Sequence, residues 1–186
     1  MSEKNEITLL HVQRKLKPKI EDVIPEYLDG DMEKNAIDFI TYMQENKMVL
    51  RWAGVHNAWK ANYKSKPICY VRLADGNNPA WLSSAKNAKL TITPYLNNIN
   101  KYQERIINED WQDSIWDNLY YCKVCGNGCA PGKDKIILGK EFKGLCNGIF
   151  YCRFSVSFVN PDDITISRIK KMLEWEKQAR TESKQS

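Results

Sequence analysis

The sequence predicts an α+β fold in which helices cover one face of a mainly antiparallel sheet, with a cysteine-bearing loop late in the chain. Three observations carry that expectation. Leu90 to Thr93 and Phe150 to Phe158 alternate apolar and polar residues with the period of a half-buried strand. Other segments repeat apolar residues at helical spacing. Strands and helices do not alternate regularly along the chain, which argues against a doubly wound parallel sheet.

The elements are expected in the following order. Residues 1–27 read as an extended lead-in, because Lys17-Pro18 and Ile24-Pro25 interrupt any helix there. A helix follows with Asp31 as its N-cap, carrying Met32, Ala36, Phe39, Ile40 and Met43 on one face. Trp59–Lys64 and Ile68–Leu73 are aromatic and β-branched runs around Ser65, Lys66 and Pro67, which predicts a hairpin with Cys69, Val71 and Leu73 on one face. Lys89 to Tyr95 predicts a strand that Pro94 ends or places at an edge. Two amphipathic helices come next, one carrying Ile99, Tyr102 and Ile106, the other Trp111, Ile115, Trp116 and Leu119. Gly126 to Gly144 reads as a glycine-rich loop. Ile149 to Val159 is the clearest strand, with Phe150, Cys152, Phe154, Val156 and Phe158 on its apolar face. Asn160 is expected to cap a last helix that has Pro161 at its first position and Ile166, Ile169 and Leu173 as its buried stripe.

With 186 residues the chain suits one domain of roughly 100–200 residues, placed at 28–180 with a polar tail at 181–186. Its 42% hydrophobic and 27% charged balance and mean hydropathy of -0.57 leave no apolar run of about 18 residues for a bilayer span. Charges fill the opening Met1 to Arg14, where a signal peptide would be apolar. The expectation is a cytoplasmic protein with no membrane partner.

A reducing compartment keeps thiols free, so the spacing of the six cysteines decides what they do. Cys122-Lys123-Val124-Cys125-Gly126 sets two thiolates two residues apart on a turn that glycine lets bend, the arrangement of a zinc knuckle. Cys129 follows in the same loop and Cys146 returns later. Cys152 lies between Phe150 and Phe154 on an apolar strand face and reads as a small core residue. Cys122, Cys125, Cys129 and Cys146 are therefore the predicted ligands of a closed structural zinc site, with the loop over 122–146 fastened by the ion. A cluster of free thiols and redox chemistry are the two alternatives.

Two lookalikes fail. Gly126 to Lys133 suggests a phosphate loop, but Asn127 stands where the pattern needs glycine and Asp134 where it needs Ser or Thr. His56 and Cys69 suggest a base and a thiol nucleophile, but no Asp or Asn is placed to orient either. Cys69 reads as core and His56 as a loop residue.

The aromatic residues gather in two stretches. Trp111 and Trp116 sit at core-facing helix positions, while Trp59, Tyr63 and Trp81 line a hairpin and the loop after it and are the predicted ligand surface. Lys60, Lys64, Lys66 and Arg72 accompany them in a stretch without acids. Aromatics beside lysines suit single-stranded nucleic acid, although strand lysines also blunt edge pairing and the net charge of +5 is far from a strongly basic footprint.

Tyr27-Leu28-Asp29-Gly30-Asp31, Trp59-Lys60, Tyr63-Lys64, Cys69-Tyr70, the Cys122 and Cys125 pair, Cys129-Ala130-Pro131-Gly132, and Gly139-Lys140-Glu141-Phe142 before Cys146 resemble a group of small uncharacterised bacterial proteins. The likeness runs from residue 27 to 175 and implies no catalytic residue. The helix, the hairpin with its strand-borne Tyr-Lys and the final strand-helix are also similar to YdhG-like small α+β domains, over about half the chain.

The expected function is that of a binding or accessory domain rather than an enzyme, with a structural zinc and an aromatic surface for a small-molecule or protein ligand. The rival readings are a nucleic-acid-binding accessory protein and a thiol-dependent enzyme.

Overall fold

A computed structural model describes residues 9–55, 57–73, 87–119, 133–145 and 156–182. It is an α+β structure. The five-stranded sheet is antiparallel throughout, in the order β1-β2-β3-β4-β7, and a separate two-stranded sheet pairs β5 with β6. Buried apolar side chains from Ile20 to Ala179 form one cluster.

The lead-in is helical where it is described, which corrects the extended reading. α1 (Leu9–Leu16) stops where Lys17 turns to a φ of 48° ahead of Pro18. α2 (Ile20–Tyr27) then buries Ile20, Val23 and Ile24, a helical spacing that Pro25 obscured. Proline inside a helix costs about 3 kcal/mol, whereas burying three such side chains yields roughly 1.5–3 kcal/mol each. Burial wins, and the helix ends soon after, with Leu28 N–H donating to Ile24 O at 2.9 Å.

α3 (Gly30–Glu45) buries Ala36, Phe39, Ile40 and Met43 as its pattern predicts. Its cap position is Asp29, at φ -138° and ψ 163°, so Asp31 lies in the first turn and not at the cap. Lys47, at a φ of 61°, reverses the chain, and Met48 N–H donates to Met43 O at 2.8 Å.

β1 (Leu50–Trp52), β2 (Ala58–Tyr63), β3 (Lys66–Leu73) and β4 (Leu90–Pro94) follow. Trp52, Trp59, Val71, Ile92 and Phe158 stand opposite one another across the sheet, as do Leu50, Ala61, Cys69 and Pro94. These rows form the core face. The hairpin turn Lys64-Ser65 has φ values of 49° and 64°, the positive pair that a two-residue turn needs to match strand twist.

A 3₁₀ turn at Ile99–Lys101, α4 (Gln103–Asn108) and α5 (Gln112–Trp116) bury Ile99, Tyr102, Ile106 and Ile115. Residues 133–145 are not loop but the hairpin of β5 (Lys133–Ile137) and β6 (Lys140–Leu145). Leu138 and Gly139, with φ values of 50° and 80°, make the tight turn. Of the strand expected over 149–159, the structure describes 156–159: Val156 bridges Leu119, and β7 (Phe158–Val159) pairs with Ile92 and Thr91.

α6 (Asp163–Glu182) is capped by Asp162, whose carboxylate accepts from Thr165 N–H at 2.8 Å. The cap was expected two residues earlier. Asn160 instead ties strands, its Oδ1 accepting from Lys89 and Leu90 N–H at 2.8 and 3.0 Å while Nδ2 donates to Asn87 O at 2.9 Å. Tyr42 OH donates to Lys170 O at 2.9 Å and Lys170 Nζ donates to Asp38 at 2.6 Å, joining α3 to α6.

Candidate functional site

The four predicted zinc ligands Cys122, Cys125, Cys129 and Cys146 lie outside the described residues, as do Cys152, His56 and Trp81. What the structure describes is the segment between the third and fourth thiols. Its register pairs Lys133 with Leu145 and Ile137 with Lys140. Cys129 precedes this hairpin by four residues and Cys146 follows it directly. Asp134 accepts from Gly144 N–H at 2.9 Å beside the irregular step between Lys133 and Lys135.

An isolated two-stranded hairpin is at best marginally stable in water. This one is anchored to the rest of the protein. Ile137, Leu138 and Phe142 are 3%, 5% and 7% exposed and belong to the main apolar cluster. Trp116 of α5 donates Nε1–H to Ile137 O at 2.9 Å, and the Lys140 ammonium lies 4.7 Å from the Trp116 ring centre. Trp116 thus serves as a docking post, a role its helical spacing did not announce.

Of the predicted aromatic surface, the structure describes Trp59 and Tyr63, both on β2. Trp59 is 0% exposed, so it is a core residue and not part of a ligand surface. Its register between Trp52 and Val71 turns the ring inward, and its Nε1–H donates to Pro18 O at 2.9 Å. Tyr63 is half-buried at the hairpin end, with the Lys64 and Lys177 ammonium groups 5.6 and 5.3 Å from its ring centre. Those lysines have structural duties: Lys64 donates to Thr181 Oγ1 at 3.0 Å, and Lys177 donates to the Asn46 side chain at 3.1 Å. Trp111 packs half-buried on Trp175, the rings 5.6 Å apart and 24° from parallel.

Cys69 is fully buried on the core face, where its alternation puts it. Burial pushes its thiol well above the ordinary range, against smaller opposing contributions from backbone hydrogen bonds at Tyr70 and Thr93. A thiol 0% exposed on the core face is out of a substrate's reach, as expected of a core cysteine and not of a nucleophile.

The polar cluster that sequence reasoning missed centres on Glu176, which is 0% exposed. It accepts from Asn98 N–H at 3.0 Å, Asn98 Nδ2 at 2.8 Å, Tyr102 OH at 3.0 Å and Arg180 Nε at 2.8 Å. Burial foremost, and then the Glu176 charge, push the Tyr102 hydroxyl far above the phenol range, so it stays a donor. A fully satisfied carboxylate behind an arginine that reaches three backbone carbonyls is built to hold elements together.

Among the described residues, no group of three or more His, Cys, Asp or Glu is placed to hold a metal ion, and no helix is long and apolar enough to cross a membrane. Comparison of the chain with known protein families, with curated proteins and with solved structures finds no match.

Proposed function

We propose that the protein is a binding or accessory domain in which Cys122, Cys125, Cys129 and Cys146 hold a structural zinc ion. The observation that carries this reading is the β5–β6 register. A ladder that pairs Lys133 with Leu145 brings the two ends of the hairpin together, and in the sequence Cys146 directly follows one end while Cys129 precedes the other by four residues. The Cys122 and Cys125 pair lies just upstream. Four thiolates with no open coordination position form the closed set of a structural site. An ion there would offset the entropy of closing the loop and secure a hairpin that packs into the main core.

Native mass spectrometry of the untagged chain, paired with elemental analysis, tests the reading. One zinc per chain, lost in Cys122→Ser or Cys146→Ser, is the expected result. Metal-free protein with six alkylatable thiols after unfolding would overturn it.

A further inference from the structure

The five strands of the main sheet contain no acidic residue where they are described. On the face opposite the core rows, the register sets Arg51 across from Lys60, Lys60 across from Tyr70, and Tyr70 across from Thr93. The Thr93 hydroxyl in turn lies 3.0 Å from that of Ser157. The result is one row over four strands and the residue that precedes β7, with two cations, an aromatic ring and two hydroxyls. Arg51 and Lys60 are exposed, and Tyr70, Thr93 and Ser157 are half-buried. Arg72 stands on the same face, two residues beyond Tyr70 on β3.

Side chains directly opposite on one sheet face lie about 4.5–5.5 Å apart at Cβ, and like charges so placed destabilise the pairing. Neither Arg51 nor Lys60 makes an ion pair with a carboxylate among the described residues. Edge protection accounts for Arg51, which sits on the edge strand β1. It does not account for Lys60, because β2 is interior, hydrogen-bonded to β1 on one side and β3 on the other. Edge protection thus gives no reason to set a second cation opposite Arg51 on β2. A polyanion does.

We propose that the row Arg51, Lys60, Tyr70, Thr93 and Ser157 is a platform for single-stranded nucleic acid. Arg51 and Lys60 pair with backbone phosphates, Tyr70 offers a ring to a base, and the hydroxyls hydrogen-bond beyond it. The row crosses four strand gaps of about 4.8 Å, and a sheet face of about this width receives two or three bases in other single-strand binders. A five-stranded sheet face is too broad for either groove of a duplex, which admits a helix or a two-stranded ribbon. This proposal rests on the sheet alone and stands apart from the thiol reading.

The test is fluorescence anisotropy of fluorescein-labelled, mixed-sequence twelve-nucleotide RNA and DNA single strands, titrated with the full chain over a salt series, with zinc content recorded for each preparation. The expected result is binding that weakens as salt rises. Lys60→Ala should lower the slope of log affinity against log salt by about 1, and Lys60→Glu should weaken binding about tenfold or more. Because Lys60→Glu gives Arg51 an opposite charge, that variant should melt no lower than the parent, which separates lost binding from lost folding. Lys34→Glu, on the exposed side of α3, should leave affinity unchanged. Absence of binding at low salt, unaltered affinity in Lys60→Glu, or displacement by polyglutamate as effective as by unlabelled oligonucleotide would each overturn the proposal. Zinc content that fails the thiol reading while these binding results hold would separate the two.

Discussion

Arg180 donates Nε–H to Glu176 at 2.8 Å one turn back along α6, with side-chain exposures of 8% and 0%. The pair ties three parts of the fold to one helix. Glu176 takes the backbone and side chain of Asn98 and the hydroxyl of Tyr102, before and after the 3₁₀ turn. Arg180 turns its Nη2 to Pro67 O at 2.9 Å and to Tyr95 O at 3.3 Å, at the start of β3 and just past the end of β4. Burying an ion pair is expensive, and here both carboxylate oxygens and all three guanidinium nitrogens have hydrogen-bond partners.

Removing one partner should therefore be far worse than the exposed ion pairs would suggest. Glu176→Ala leaves a guanidinium, a phenol and the backbone and side-chain amides of Asn98 without their acceptor and is expected to lower unfolding free energy by about 3–5 kcal/mol. Lys171→Ala, at an exposed pair with Glu109 3.9 Å away, should change it by less than about 1 kcal/mol. Urea denaturation of the two variants checks the contrast, and equal effects would refute the keystone role.

Asp162 gives a prediction with a pH sign. The Thr165 side chain and N–H donate to its carboxylate and hold it below the usual Asp range. A folded-state pKa below the unfolded one contributes stability that is present above the ordinary Asp pKa and lost as pH falls through the lowered value. Asp162→Ala should cost about 0.5–2 kcal/mol at neutral pH as a lost N-cap. The gap between parent and variant should close in acid, which denaturation curves across that range will reveal.

Stripes were legible in the sequence because burial is periodic: Phe39, Ile40 and Met43 on α3 and Cys69, Val71 and Leu73 on β3 are buried as their spacing requires. Punctuation was less so. Pro25 hid a helix whose apolar side chains outweigh one missing hydrogen bond, and Leu138-Gly139 hid a hairpin inside a segment that composition made look like loop. Glu176 lies on the buried stripe with Met172, Leu173 and Ala179, four residues before Arg180, so its position was readable. Its partners Asn98 and Tyr102 were not, because nothing local links them to it. The Arg51 and Lys60 pairing had the same obstacle, since a register exists only once strands meet.

The turn at Lys64-Ser65 offers a stabilising change. Both residues hold positive φ, 49° and 64°, where glycine and asparagine are at ease and other side chains are strained. Ser65→Gly relieves strain of about 1–3 kcal/mol against about 0.4–1 kcal/mol of added freedom in the unfolded chain, so a net gain in stability is expected. Thermal melts decide it, and a lower melting temperature would mean that the entropy of the unfolded chain prevails.

Trp59 separates a core role from a binding one. Its ring is wholly buried on the core face of β2, and its indole N–H reaches Pro18 O at 2.9 Å, between α1 and α2. Trp59→Ala removes a large buried volume and leaves that carbonyl without its donor, so a loss of about 3–5 kcal/mol is expected. Trp59→Phe refills most of the space but not the hydrogen bond, and should cost less, about 1–3 kcal/mol for the unsatisfied group. Because the bond anchors the two N-terminal helices to the sheet, hydrogen exchange in α2 should accelerate in Trp59→Phe while amides of α6 keep their protection. Equal acceleration in both helices would show that Trp59 supports the fold only as bulk, and that the contact with Pro18 does not hold the N-terminal segment in place.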